Sequence, residues 1–158
     1  MNTPSTLLYN YKALVVDVNA PDRITALVDQ GFRSWTMRQF RLAGVTAPDP
    51  RSRPSGRERS ALKEALENRR TFLESILKPS NKTGTHILLA PEKPTYAGTF
   101  SAGVFMPVAR SNNQYCISHA GQNYISICSL MRHVAPGDLS IRAAQELVKD
   151  CEVRSFNK

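Results

Sequence analysis

Arg41 and Asp49, eight positions apart, place a cation and a carboxylate in the segment Phe40–Asp49. Hydrolysis of a phosphodiester needs a carboxylate that positions or deprotonates the attacking water. It also needs positive groups that stabilise the charge developing on the phosphate. Arg41 and Asp49 could supply one group of each kind. The alternative is an ordinary strand and turn that carry a surface ion pair.

The segment that holds these two residues has the pattern of a strand followed by a turn. Phe40 and Leu42 alternate with Gln39 and Arg41, which predicts that the apolar pair faces one side and Arg41 the other. Gly44 and the Thr-Ala-Pro-Asp sequence after Val45 are typical of a turn. A strand that ends in a polar loop is a rigid support for reactive groups.

The strand that carries Arg41 is predicted over Trp35–Leu42. Two earlier strands are predicted over Tyr11–Val18 and Ile24–Asp29. Their connections are short and contain Pro21, Asp22 and Gly31. Consecutive strands joined by brief turns favour an antiparallel meander. The aromatic residues at strand positions, Trp35, Phe40 and Phe105, are predicted to belong to the core.

These three strands and their turns resemble the staphylococcal nuclease (thermonuclease-like) family. That family opens with three strands around a DGDT-type turn, and its third strand ends in R-L-x-G-x-D-x-P-E. The likeness is strongest over Tyr11–Pro48 and extends more weakly to about Lys149. It implies an α+β fold: a small OB-type five-stranded β-barrel with about three helices. Members of that family cleave DNA or RNA with a calcium ion held by carboxylates, a glutamate and two arginines.

Three positions of the family's catalytic set keep a charged residue in this chain. The resemblance assigns the strand-borne arginine to Arg41 and the second aspartate of the turn, a metal ligand, to Asp22. The catalytic glutamate falls on Asp49, which is one methylene shorter. If the chain were active, Arg41 and Asp49 would therefore be its catalytic residues, and Asp22 would bind Ca²⁺.

At other positions of that set, a neutral residue stands where the family has a charged one. The first aspartate of the turn is Ala20, and the aspartate of the R-L-x-G-x-D motif is Thr46. The second arginine falls on Thr99, or on Gly98 if the register slips. Because calcium takes six to eight oxygen ligands and usually several carboxylates, Asp22 alone would hold it weakly. The resemblance therefore implies an incomplete catalytic set and no resident cofactor, with Ca²⁺ as the cofactor only if the chain is active.

The chain is strongly basic: its 158 residues carry a formal net charge of +8. Such a balance favours anionic partners, either nucleic acid or an acidic protein surface within an assembly. The densest basic run follows Asp49 directly and predicts phosphate contacts by Arg51, Arg53, Arg57 and Arg59. Tyr96 is a candidate to stack on a base. The alternative for the basic run is a solvated loop and helix start.

The rest of the chain predicts a helix from Gly56 to before Pro79, because Ser55 and Glu58 form a capping-box pair. Its apolar spacing shifts near Arg69 and Arg70, which leaves one long helix or two shorter ones open. Further strands are predicted over Thr85–Ala90, Phe100–Phe105 and Tyr115–His119, and further helices over Ile125–Val134 and Ile141–Val148. Residues 1–10 are predicted to be an arm, and residues 11–158 a single domain.

Cysteine usage and the chain's apolar runs bear on where the protein acts. Cys116, Cys128 and Cys151 are too widely spaced for a zinc motif, and their odd number argues against a disulfide framework. Neutral thiols are expected. No signal peptide or membrane span is visible, so the expected location is cytoplasmic, or the virion if the protein is phage-encoded.

Taken together, these patterns predict a non-catalytic binding or assembly module that uses a basic surface. Its partner would be nucleic acid or a larger particle such as a phage virion. The alternative is a calcium-dependent phosphodiesterase that cleaves DNA or RNA.

Overall fold

The computed structural model describes residues 10–78, 85–94 and 100–152. Three consecutive strands open the domain: β1 (Tyr11–Ala20), β2 (Arg23–Asp29) and β3 (Trp35–Leu42). Each pairs antiparallel with the next, which confirms the predicted meander. Residues 1–9 of the predicted arm lie outside the described ranges.

Two later strands close this meander into a barrel. After helix α1 (Gly56–Leu77), β4 (His86–Pro94) pairs antiparallel with β1, and β5 (Phe100–Val108) pairs antiparallel with β4. The start of β5 then runs parallel to the end of β3, with Phe40 opposite Phe100. The five strands thus form a closed barrel in the order β1-β2-β3-β5-β4. With its helices it is an α+β, OB-type fold, which confirms the predicted fold class.

A hairpin extends the sheet beyond the barrel. It consists of β6 (Cys116–His119) and β7 (Gln122–Ser126), and β7 pairs with the second half of β5. The two residues of its turn, Ala120 and Gly121, have φ values of 52° and 80°, as a type I′ turn requires.

The second and third helices follow this hairpin, as α2 (Ile127–Val134) and α3 (Ile141–Glu152). The sequence prediction of a helix beginning at Ile125 was wrong, because Ile125 pairs with Met106 in the sheet. The helix begins after Ser126, whose hydroxyl caps it by accepting a hydrogen bond from the Ser129 N–H at 3.2 Å.

Helix α1 is one continuous helix of 22 residues. Its first turn is capped as predicted, since the Ser55 hydroxyl accepts from the Glu58 N–H at 3.0 Å. The shift in apolar spacing falls where two arginines reach across to neighbouring elements. Arg69 donates to the Ala135 carbonyl at 2.6 Å, and Arg70 donates to the Val18 carbonyl at 3.1 Å. The two arginines that interrupt the apolar spacing therefore attach α1 to α2 and to β1, and the helix continues through them.

The barrel interior is filled by the inward rows of the strands. Phe40 is buried there, with 3% of its surface exposed. Phe105 is also buried, but in a separate cluster with Leu88 and Ala90. The prediction for Trp35 was wrong, because its side chain points outward and is 49% exposed. No helix within the described ranges is both long and apolar enough to cross a membrane.

The three cysteines are free thiols with different surroundings. Cys128 is fully buried, and burial raises its pKa to about 11, so it stays neutral near pH 7. The sulfur atoms of Cys116 in β6 and Cys151 in α3 are only 3.1 Å apart. Sequence spacing gave no sign of this contact, since 35 positions separate the two residues.

Candidate functional site

The end of β3 and the turn between β1 and β2 bring Arg41 and Asp22 together. The backbone fixes this arrangement, because the Leu42 N–H donates to the Asp22 carbonyl at 2.9 Å. One guanidinium nitrogen of Arg41 lies 3.8 Å from a carboxylate oxygen of Asp22, and the two side chains are 45% and 14% exposed. Two of the three predicted catalytic and metal-binding residues therefore form a partly exposed ion pair.

Asp49, the third of these residues, contacts its own loop and not Arg41 in the structure. It caps the short 3-10 helix Pro50–Ser52, and its carboxylate accepts from the Arg51 N–H at 2.9 Å. The Arg51 guanidinium is 3.3 Å from the same carboxylate. These hydrogen bonds, the backbone one first, lower the pKa of Asp49. The Asp49 carboxylate is thus held by Arg51, while Asp22 pairs with Arg41.

The predicted phosphate-contacting residues Arg51, Arg53, Arg57 and Arg59 are all exposed. Arg51 is committed to Asp49, and the Arg59 side chain donates to the Arg53 carbonyl at 2.8 Å. Arg53 and Arg57 make no ion pair with any described residue, so their charges face solvent. The remaining predicted residue, Tyr96, lies outside the described ranges, as do Gly98 and Thr99.

Sequence reasoning missed Arg23, the residue directly opposite Arg41 in the β2–β3 pairing. Its Nε atom is buried and makes no hydrogen bond to a described residue. Like charges directly opposite each other in a sheet repel, and Asp22 offsets only one of the two. An anionic ligand would relieve the repulsion. The pairing register was needed to find Arg23, because nothing in the local sequence marks it.

A second missed arginine, Arg132 of α2, packs over Gly44 just beyond the end of β3. Gly44 has φ +75°, and a Cβ built there would lie 2.7 Å from the Arg132 Nε. The left-handed backbone therefore favours glycine at this position, and the Arg132 guanidinium would have to shift to admit a Cβ. Arg132 makes no ion pair with a described residue. It adds a cation beside the corner where β3 enters the basic loop.

The outer β2–β3 face continues from the arginine pair along the sheet. This face is formed by the outward side chains of both strands, namely Arg23, Thr25, Leu27, Asp29, Trp35, Met37, Gln39 and Arg41. Trp35 is 49% exposed, Met37 is 57% exposed, and Phe32 at the hairpin tip is fully exposed. Trp35 and Arg41 are six positions apart in β3, about 20 Å at roughly 3.3 Å per residue. Large apolar side chains at one end and cations at the other make an amphipathic stripe.

The described residues contain no group of three Asp, Glu, His or Cys side chains that could hold a metal ion. Of the positions that the resemblance relates to metal binding, Asp22 keeps a carboxylate, whereas Thr46 is an exposed neutral residue. Among the described residues at these positions, the remaining carboxylate is that of Asp22, which is already paired with Arg41.

Replacing Arg41 with alanine tests what the ion pair contributes to folding. We expect Arg41→Ala to lower the free energy of unfolding by about 1 kcal/mol or less, because the pair is partly exposed and screened by solvent. Urea denaturation followed by circular dichroism measures this change. Asp22→Asn should cost a similar amount. A loss of several kcal/mol in Arg41→Ala alone would contradict the weak-pair interpretation.

Comparisons of this chain with family models, with curated proteins and with solved structures give no match. The relation to the staphylococcal nuclease-like family therefore stays a prediction that rests on the motif resemblance.

Proposed function

We propose that this chain is a non-catalytic binding module that holds single-stranded nucleic acid on the outer β2–β3 face. The observation that carries the proposal is the pair of arginines opposite each other, Arg23 and Arg41, of which Asp22 neutralises one. Two adjacent phosphates would remove the repulsion between the guanidinium groups. Arginine also matches phosphate geometry through its fork of donors.

The other end of the same face supports a nucleic acid strand rather than a free anion. Trp35 and Met37 are exposed on that face and give a base a flat apolar surface to stack on. The distance of about 20 Å between Trp35 and Arg41 allows several nucleotides to lie across the two strands. In this arrangement the bases meet the apolar end and the backbone meets the cations.

The two predicted carboxylates each contact an arginine, and this favours binding over cleavage. A hydrolytic site needs a carboxylate free to act on water near the scissile phosphate. Asp22 is paired with Arg41, and Asp49 is held by Arg51 as a helix cap. Both predicted acidic groups are thus engaged in structural contacts.

A double variant, Arg23→Gln with Arg41→Gln, tests the proposal. We expect affinity for single-stranded DNA to fall roughly 10- to 100-fold near 0.1 M salt, and the salt slope of log K to shrink by about 1.4. Trp35 is the chain's single tryptophan, so quenching of its fluorescence reports binding at this face. The control is Arg142→Gln with Lys149→Gln, which removes the same charge from exposed positions on α3.

Three outcomes separate the possible contact surfaces. Equal losses in the double variant and in its α3 control would show that net charge alone drives binding. A loss confined to Arg51→Gln/Arg53→Gln/Arg57→Gln would place the contact on the basic loop. Absence of binding by the unmodified chain at low salt would overturn the proposal and favour an acidic protein surface within an assembly.

A further inference from the structure

A cavity of about 360 Å³ opens at the end of the barrel where β1 and β5 begin. Its volume lies within the range of small-molecule pockets, about 300–1,000 Å³. Val28, Leu89 and Pro91 supply apolar lining, and Leu89 is fully buried. This barrel mouth involves the inward rows of the strands, so it is separate from the outer β2–β3 face.

Aromatic rings form a large part of the wall of the barrel mouth, from Tyr11, Phe40 and Phe100. The centroids of Phe40 and Phe100 are 6.4 Å apart, with their planes tilted by 44°. Tyr11 remains 45% exposed. Rings held on a barrel wall with one ring still open to solvent are suited to hold another flat ring.

The guanidinium group of Arg38 lies beside these aromatic rings. Arg38 pairs with Ala26 across the sheet and so belongs to the inward row of β3. Its guanidinium carbon lies 5.3 Å from the centroid of the Phe100 ring, which orients the group by a cation–π contact. Among the described residues, no acidic side chain lines the cavity and none forms an ion pair with Arg38. Within this part of the chain, the positive charge of Arg38 in the barrel mouth is therefore uncompensated.

Gln30 adds a directed hydrogen-bond donor to the barrel mouth. Its amide oxygen accepts from the Thr36 hydroxyl at 2.8 Å and from the Ser34 hydroxyl at 3.4 Å. With the oxygen held in this way, the amide NH₂ is the end left to bind a ligand acceptor.

We propose that the barrel mouth binds a small molecule in which a planar aromatic ring is joined to an anionic group. The ring packs against Tyr11 and Phe100, the anion pairs with Arg38, and Gln30 donates to an acceptor on the ring. A nucleoside monophosphate and an aromatic carboxylate both have this chemistry. The site goes beyond the proposed strand-binding face, since it uses the inward side chains.

Calorimetry with four probes tests the site: thymidine 5′-monophosphate, thymidine, indole-3-acetate and indole. We expect at least one anionic probe to bind at least tenfold more tightly than its neutral partner, because a charge-assisted hydrogen bond is lost with the anion. The tighter of the two anions identifies the source of the ligand. Binding by neither anion at millimolar concentration would overturn the proposal.

Two variants place the binding in the barrel mouth. Arg38→Gln should weaken the anionic probe about tenfold or more and remove its advantage over the neutral one. Phe100→Leu keeps an apolar side chain but removes the ring, and should weaken every probe that binds. Arg142→Gln on α3 is the control, and thermal melting checks that each variant is folded. Unchanged affinity in folded Arg38→Gln would overturn the proposal, even if single-stranded DNA still binds the outer β2–β3 face.

Discussion

Purified protein supplied with calcium is expected to leave single-stranded DNA uncut. Loss of one cation that meets the developing charge costs ~10²–10³ in rate, and a misplaced carboxylate costs about another 10². The family resemblance predicts the first loss, since it places the second arginine on Thr99 or Gly98, and the second loss follows from the contact of Asp49 with Arg51. Cleavage should therefore be at least ~10⁴-fold slower than by a complete set, if the two losses act independently.

The measurement is a gel assay of a labelled single strand with the purified chain, with Arg41→Ala and with Asp49→Ala. The two variants detect a contaminating nuclease, because contamination cuts equally in all three samples. Calorimetry with calcium accompanies the assay, and we expect no binding tighter than roughly millimolar. Turnover that disappears in both variants while the fold is intact would show that the binding-module interpretation is wrong. Micromolar calcium binding abolished by Asp22→Asn would contradict it as well.

Elements whose contacts are local in sequence could be predicted from the spacing of their apolar residues and from their turn and capping residues. β1, β2 and β3 alternate clearly, and the capping pair of Ser55 and Glu58 marks the start of α1. Strand β7 was missed because its residues Ile125 and Ser126 run directly into α2, and a short apolar run does not distinguish strand from helix. Closure by β5 against β3 joins residues about sixty positions apart, so only the family resemblance predicted it.

The outward position of Trp35 could have been predicted by counting. It lies five positions from the inward Phe40, and in a strand an odd separation places two side chains on opposite faces. Treating every strand aromatic as core hid the most exposed part of the candidate site. Arg38 is two positions from Phe40, and an even separation places both side chains on the same face of the strand. Arg38 therefore belongs to the barrel mouth.

The remaining cations depend on tertiary contacts. Arg23 is significant only because the register sets it opposite Arg41. Arg132 is about ninety residues from Gly44 in sequence and reaches it through the packing of α2. The sequence-based prediction located the basic loop correctly as exposed. Only the structure showed that Arg51 is already engaged by Asp49.

Oxidation is expected to join Cys116 and Cys151 and to stabilise the domain by about 4 kcal/mol, from the chain-entropy estimate for a loop of 35 residues. Their sulfur atoms are 3.1 Å apart, and the Asn113 side chain donates to the Cys151 sulfur at 3.3 Å and to the Leu147 carbonyl at 3.2 Å. The bond would tie α3 to the β6–β7 hairpin.

With glutathione disulfide as oxidant, the Cys116 thiolate attacks one sulfur and releases a glutathione thiolate. Cys151 then attacks the Cys116 sulfur and releases the second glutathione. The two protein thiols lose two electrons and two protons, and one glutathione disulfide becomes two glutathiones. Burial, followed by the hydrogen bond with Cys116, raises the pKa of Cys151 to about 11. Because its thiolate is scarce near pH 7, bridging should accelerate as the pH rises toward that value.

Mass spectrometry after thiol alkylation and thermal melting together decide the outcome. The oxidised chain should have one free thiol, at Cys128, and should melt about 10 °C higher than the reduced chain, given a few degrees per kcal/mol at this size. Cys116→Ser should abolish both changes, whereas Cys128→Ala should preserve the bridge and the shift. A disulfide that includes Cys128 would contradict the prediction. So would equal melting temperatures for the bridged and reduced chains, since strain in the folded state would then offset the entropy that the bridge removes from the unfolded chain.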